Sequence, residues 1–296
     1  MAITIEPLGG LGNQLFVYAL GRSLAIRTGR AVEASLVQFV GYESRSYELD
    51  SFASELMLLP QESAMVQERV GRLSRALMRF RHEAIPAQVA TERSFRFDPS
   101  FMDIADGTRI QGYFQSWKYF DLDGVADTVR SEILSPAVTT RWFNETSHLL
   151  RCLPTWTAVH VRRGDYKHIP AMGVIDTTYY ERALSLLVKL VGRTQLVIFS
   201  DDIGAARQLS ALQNQQDAIF IDPPSDSRPL ESLLLMSQAH HLVTANSTFS
   251  WWAGWLGERK GRWVLCPRPW LDMDTFDERD LIYPTWISVG RDHILT

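Results

Sequence analysis

Ala158-Val159-His160-Val161-Arg162-Arg163-Gly164-Asp165-Tyr166 is the stretch around which the chain reads as organised. Apolar Ala158, Val159 and Val161 predict a short buried strand, and Gly164 allows a sharp turn at its carboxyl end. In an open α/β sheet that end is where ligands bind. Two adjacent guanidinium groups there suit an anionic ligand, because they match phosphate oxygens bidentately. An ion pair of Arg162 or Arg163 with Asp165 explains the same residues without any ligand, and both readings stand at this point. The embedded Arg163-Gly164-Asp165 tripeptide is too short to carry an adhesion reading.

Working outward, strand and helix signals alternate on both sides. Ala2 to Ile5 reads as a first strand, Gly9-Gly10-Leu11-Gly12-Asn13-Gln14 as a glycine turn, and Leu15 to Thr28 as a helix stopped by Gly29. With Ala31 to Ala34 as the next strand and Glu33 beyond it, this resembles a dinucleotide fingerprint, but Leu15 stands where a third glycine belongs. The same glycines fit a tight turn, or a helix N-terminus whose Asn13 faces a cleft. Residues 60 to 94 read as a polar-faced helix with five arginines from Arg69 to Arg81, either a solvated face or a membrane-surface helix. Gly112-Tyr113-Phe114-Gln115-Ser116-Trp117-Lys118-Tyr119-Phe120 reads as the lining of an acceptor cleft or as a core strand and turn.

Helices are expected at 125–134, from Ser135-Pro136 to near Pro154, at 178–190 and at 230–239. Strands are expected at 195–199, 218–221, 242–245 and 263–267, and Tyr283-Pro284-Thr285-Trp286 closes the chain. Such alternation in both halves predicts an α/β protein of two domains with mainly parallel sheets. The domains are placed at 1–150 and 151–296, with the last ~20 residues packing back on the N-terminal domain.

Composition sets outer limits. The 296 residues are 46% hydrophobic, enough to bury a core without metals or disulfides. A net charge of -4 gives no global field for nucleic acid, so an anion site must be a local cluster. Cys152 and Cys266 lie outside any metal-spaced motif and read as buried small hydrophobes in a reducing cytoplasm. No apolar run reaches spanning length, and the N-terminus runs into a strand with no signal-peptide pattern.

Three strand ends in the second half carry polar sets: His160 to Arg163, Ser200-Asp201-Asp202, and Asn246-Ser247-Thr248. Together they have the parts for a nucleoside diphosphate. Arg162 neutralises phosphate, Ser247 and Thr248 with a helix N-terminus cradle it, and a carboxylate such as Asp202 accepts both donors of guanine's edge. Each set alone is also an ordinary cap or turn.

With Gly9 to Phe16, His160 to Tyr166, Phe199 to Asp202 and Ala245 to Trp252 in this order, the chain resembles the α-1,2-fucosyltransferases of glycosyltransferase family 11. Gly112 to Ser116 and Pro284-Thr285-Trp286 extend the likeness along nearly the whole chain, and Trp117 departs from it where a polar residue is expected. The resemblance implies a GT-B-like fold of two Rossmann-like domains facing a cleft. It implies an inverting hexosyltransferase that moves L-fucose from GDP-fucose to the 2-hydroxyl of a galactose-terminated glycan, free or lipid-linked, for cell-surface polysaccharide, O-antigen or oligosaccharide. Arg162 and Asp165 are the implied catalytic residues, Asp165 as a candidate base. Donor binding falls to His160, Arg162, Asp201, Asp202, Asn246, Ser247, Thr248 and Phe249. Gly10, Gly12, Asn13, Gln14, Tyr113 and Gln115 fall on the acceptor side. No cofactor or metal is expected, although Asp121-Leu122-Asp123 and Asp272-Met273-Asp274 have the spacing of a metal clamp. The implied setting is bacterial: a cytoplasmic protein, either soluble or peripheral on the inner face of the membrane. Two rivals stand: a nicotinamide-dependent oxidoreductase using Gly9 to Gly12 and Glu33, and a non-catalytic protein whose tryptophans stack on sugar.

Overall fold

Trp156–Val161 forms a strand buried on both faces, which only a central strand of a covered parallel sheet can be. The computed structural model describes residues 2–40, 45–59, 88–164, 173–273 and 276–291. They fall into two units, Met1–Ala137 and Val138–Thr296.

In the first unit, β1 (Ile3–Ile5), β2 (Val32–Ala34), β3 (Met57–Leu58), β4 (Val89–Thr91) and β5 (Arg109–Gln111) form one parallel sheet in the order β3-β2-β1-β5-β4. The chain moves from β1 outward to β2 and β3, then returns on the other side with β5 against β1. The strand order therefore reverses between β1 and β5. Helix α1 (Leu11–Thr28) follows β1 and ends on Gly29, whose φ of 68° and N–H to Ala25 O make a left-handed cap. Helix α2 (Ala126–Ile133) lies near the end of this unit.

In the second unit, helix α3 (Arg141–Cys152) leads into β6 (Trp156–Val161). Helix α4 (Thr177–Val191), β7 (Gln195–Ser200), the short helices α5 (Ile203–Arg207) and α6 (Ser210–Gln213) and β8 (Ile219–Ile221) follow. Then come α7 (Pro229–Ser237), β9 (His241–Val243), α8 (Thr248–Leu256), β10 (Val264–Arg268) and β11 (Ile287–Gly290). All six strands are parallel, in the order β11-β10-β9-β6-β7-β8, so here the order reverses between β6 and β9. The expected α/β class with two Rossmann-like parallel sheets is what the chain has.

Several expectations need correction. The glycine stretch is not a turn before a helix at Leu15. Gly10 is the N-cap, its carbonyl accepts from the N–H groups of Asn13 and Gln14, and Gly12 to Gln14 already belong to the helix. Residues 89–91 are a strand where a helix was read, while 60–87, including the arginine-rich segment, lie outside the described residues. The units part at 137/138 rather than 150/151. Ala137 N–H still bonds Ser51 O, but Thr140 and Ser147 bond Glu231 and Gln238 of the second unit. The closing segment holds a strand, Ile287–Gly290, which pairs with β10 in the second sheet. Cys266 is buried as expected, but Cys152 is exposed at the end of α3.

The Pro284-Thr285-Trp286 segment has a packing role. Trp286 lies against Trp251 with ring centroids 5.4 Å apart, and Thr285 bonds Glu258. A Cβ on Gly254 would stand 2.6 Å from Trp286 Cζ2, so only glycine lets helix and indole approach this closely. Gly254→Ala should destabilise the fold by about 1–3 kcal/mol through overpacking, read as a lower denaturation midpoint in urea at unchanged slope.

Candidate active site

A point of strand-order reversal leaves a crevice, because the connections on its two sides depart over opposite faces of the sheet. In the second unit this crevice opens at the carboxyl ends of β6 and β9, which deliver His160 to Gly164 and Asn246 to Phe249. Two adjacent tyrosines on α4 hold both exits from below. Tyr180 donates to His160 O at 3.1 Å, and Tyr179 donates to Thr244 O at 2.8 Å. Burial pushes both phenols up, so they stay protonated donors.

Asp201, just beyond β7, holds the arginine turn. Its carboxylate accepts from Arg163 N–H at 2.8 Å and Gly164 N–H at 2.9 Å, and pairs with Arg162 Nε at 3.1 Å. A Cβ on Gly164 would sit 2.5 Å from Asp201 Oδ2, which is why a glycine stands there. Arg162 is thus paired with Asp201, a partner other than the Asp165 expected from the sequence. Asp165, the candidate base, lies outside the described residues. Asp202 instead caps α5, accepting from Ala205 N–H at 2.8 Å.

His160 is 3% exposed, and its ring lies 5.8 Å from that of Phe249, joining the β6 exit to the β9 exit. Burial, reinforced by the Arg162 cation, pushes its pKa down to about 3, so the imidazole is neutral and adds no positive charge beside Arg162. Ser247 caps α8, its hydroxyl accepting from Phe249 N–H, and the first turn of α8 carries no acidic side chain. That end presents the positive pole of the helix dipole. Asn246 is buried and donates to Gly173 O at 3.1 Å, so the turn it begins is packed.

In the first unit the matching crevice opens at the ends of β1 and β5. Here Gln115 donates to Asn13 Oδ1 at 3.1 Å, across the reversal point, and Tyr113 keeps an exposed ring. A Cβ on Gly10 would meet the Arg45 side chain, with Nε at 4.0 Å. Gly12 and Gln14 do not reach it: both are buried, and Gln14 donates to Gly9 O and Ser46 O and accepts from Glu48 N–H. Glu33 bonds Thr4 rather than lining a nucleotide site. Of the two metal-spaced pairs, Asp121 faces Arg130 and Asp274 lies outside the described residues. Among the described residues no helix is long and apolar enough to cross a membrane.

Three residues escaped sequence reading. Tyr179 and Tyr180 carried a signal, since paired tyrosines on a buried helix face must find partners for their hydroxyls. Glu92, whose carboxylate bonds the backbone after β5, carried none.

The family model of glycosyl transferase family 11 matches residues 109–290, more than half of the chain and all of the second-unit motifs. The chain belongs to glycosyltransferase family 11. Membership of family 11 makes it a glycosyltransferase. A protein of Escherichia coli named alpha-1,2-colitosyltransferase is 25% identical, over 98% of this chain and 100% of its own length. The Bos taurus galactoside alpha-(1,2)-fucosyltransferase 2 is also 25% identical, over 98% of this chain and 79% of that protein. The Arabidopsis thaliana FUT1 mutant solved with GDP shares the fold, with a TM-score of 0.51 at 17% identity, over 98% of this chain and 73% of that one.

A histidine that is neutral when folded binds its proton on unfolding, so its depressed pKa makes stability fall as pH drops from 6.5 towards 3. At pH 5 His160 alone should account for a loss of about 2 kcal/mol, given 1.36 kcal/mol per pH unit. Urea denaturation at pH 7 and pH 5 checks this, with His160→Gln expected to flatten the pH dependence.

Proposed function

We propose that this family 11 enzyme transfers L-fucose from GDP-fucose to the 2-hydroxyl of a galactose-type acceptor, with inversion and without a metal. The observation that carries the reading is the Arg162 guanidinium, held by Asp201 at the β6–β9 reversal point next to the N-terminus of α8. The full-length likeness to α-1,2-transferring relatives supports the linkage.

Breaking the sugar–phosphate bond builds negative charge on the departing diphosphate and oxocarbenium character on the sugar. A fixed cation and a helix N-terminus aimed at the leaving oxygen stabilise that charge without reorganising, which is the largest catalytic contribution open to such a site. Arg162 and the Ser247–Phe249 turn supply these. His160, neutral and packed on Phe249, suits an uncharged base edge. Inversion requires a base at the acceptor hydroxyl, and Asp165 is the carboxylate proposed for it. The acceptor-side reading assigns the galactose end to Asn13, Tyr113 and Gln115, with Gly10 beside them. A cytoplasmic setting with peripheral membrane contact and a surface-glycan acceptor belongs to the same proposal.

Colitose in place of fucose is a second reading. One observation favours it: the relative matched over the whole of its own length bears that sugar in its name.

Thermal unfolding with GDP, ADP, UDP or NADH, in EDTA, tests the donor side. GDP at a hundred times its Kd should stabilise by about 2.7 kcal/mol, the others should not, and Arg162→Ala should lose the effect. Transfer from GDP-fucose to a β-galactoside should give an α-1,2 product by NMR, with kcat lowered about 10²–10³-fold in Arg162→Ala. Stabilisation by NADH alone, or activity abolished by EDTA, overturns the reading. Preferred turnover of GDP-colitose would exchange the sugar and leave the rest.

A further inference from the structure

Two strand exits in this protein are held by the same device. In the second unit, β6 leaves the sheet at the reversal point, and Asp201, one residue beyond neighbouring β7, accepts from two successive N–H groups, of Arg163 and Gly164. In the first unit, β5 leaves the sheet at the reversal point, and Glu92, one residue beyond neighbouring β4, does likewise. Its carboxylate accepts from Tyr113 N–H at 2.7 Å and Phe114 N–H at 3.1 Å. Each turn has a glycine pressed on its carboxylate. A Cβ on Gly112 would lie 2.8 Å from Glu92 Oε2 and 2.4 Å from its Cβ.

The first-unit turn is also strained. Phe114 sits at φ 51°, a left-handed conformation that a bulky L-residue rarely adopts. Its ring is buried against Phe101 and Tyr119, at centroid distances of 4.9 and 5.6 Å. The strained backbone turns Gln115 towards Asn13 and leaves the Tyr113 ring stacked on Phe95 and part exposed, an aromatic group of the kind that packs on sugars. Burial pushes the Glu92 carboxyl up, and the two amides pull it back.

We propose that Glu92 is a positioning residue for the acceptor: its carboxylate fixes the Gly112–Gln115 turn so that Tyr113 and Gln115 meet the galactose-type sugar. Glu92 thereby does for acceptor recognition what Asp201 does for the arginine turn. The inference rests on the acceptor-side reading given above. It assigns Glu92 no contact with the reacting atoms.

The test uses the full chain with Glu92→Ala and Glu92→Gln. Hydrogen exchange at the Tyr113 and Phe114 amides reports on the turn without any substrate. Steady-state kinetics against a β-galactoside and GDP-fucose separates acceptor KM from donor KM, and GDP thermal stabilisation reports on the second unit. Glu92→Ala should speed exchange at both amides at least tenfold and raise acceptor KM at least tenfold, with donor KM and GDP stabilisation within twofold of wild type. Glu92→Gln, which keeps one carbonyl acceptor, should fall between, and it carries the test if the alanine variant does not fold. Unchanged exchange overturns the positioning role. Faster exchange with acceptor KM unmoved, or donor and acceptor KM rising together, overturns the link to acceptor recognition. A wild type that binds GDP yet glycosylates no galactoside would sink the acceptor assignment, and the exchange measurement would still decide whether Glu92 holds the turn.

Discussion

The edge of a parallel sheet poses one problem wherever a strand ends: its last backbone groups lose their ladder partners while still largely enclosed. Water cannot solve this at a reversal point without filling the crevice that a ligand needs. The protein solves it with side chains from adjacent elements. Asp201 and Glu92 take up N–H groups from the side, and Tyr179 and Tyr180 supply donors to carbonyls from below. The polar groups that line each crevice are thereby held in place before any ligand arrives, and preorganisation of that kind is what binding and catalysis draw on.

The two crevices differ in charge. The second has a guanidinium braced by a carboxylate, beside a neutral imidazole and a helix N-terminus, a positive site built to keep its sign. In the first, the Asn13–Gln115 pair and a tyrosine ring offer donors and acceptors without net charge, while Glu6 is buried against Arg109, Gln38 and Gln111. The reaction proposed above, with its anionic leaving group and neutral polyol acceptor, calls for this contrast.

Much of this was legible in the residues. The buried strand before Arg162, the alternation that yields parallel sheets, the Gly29 stop and the Ser247 cap follow from local rules that tertiary structure did not override. The glycine stretch misled because glycine serves both turns and helix caps. Only the Gly10 carbonyl bonds decide that the helix opens at Leu11. β3, β4, β5 and β11 escaped because they are two to four residues long and lack the apolar run and flanking turn signals that gave away strands as short as β1 and β2. The unit boundary was misplaced because α3 declares its allegiance through Glu231 and Gln238, far along the chain. Glu92 was hidden for a related reason: a single carboxylate among arginines carries no pattern, and its meaning lies in the backbone it meets.

The junction of Trp286 with Gly254 has a consequence for α8 beyond packing. Trp251 also hydrogen-bonds Leu281 O, so the helix is bolted at its middle to a segment far along the chain. Its first turn cannot tilt or fray to suit whatever arrives. Little entropy remains to be lost there on binding, and little latitude remains to accept a differently shaped anion. Variation in sugar choice among relatives of this chain would then have to arise in the loops that surround α8, with the helix itself as the fixed datum.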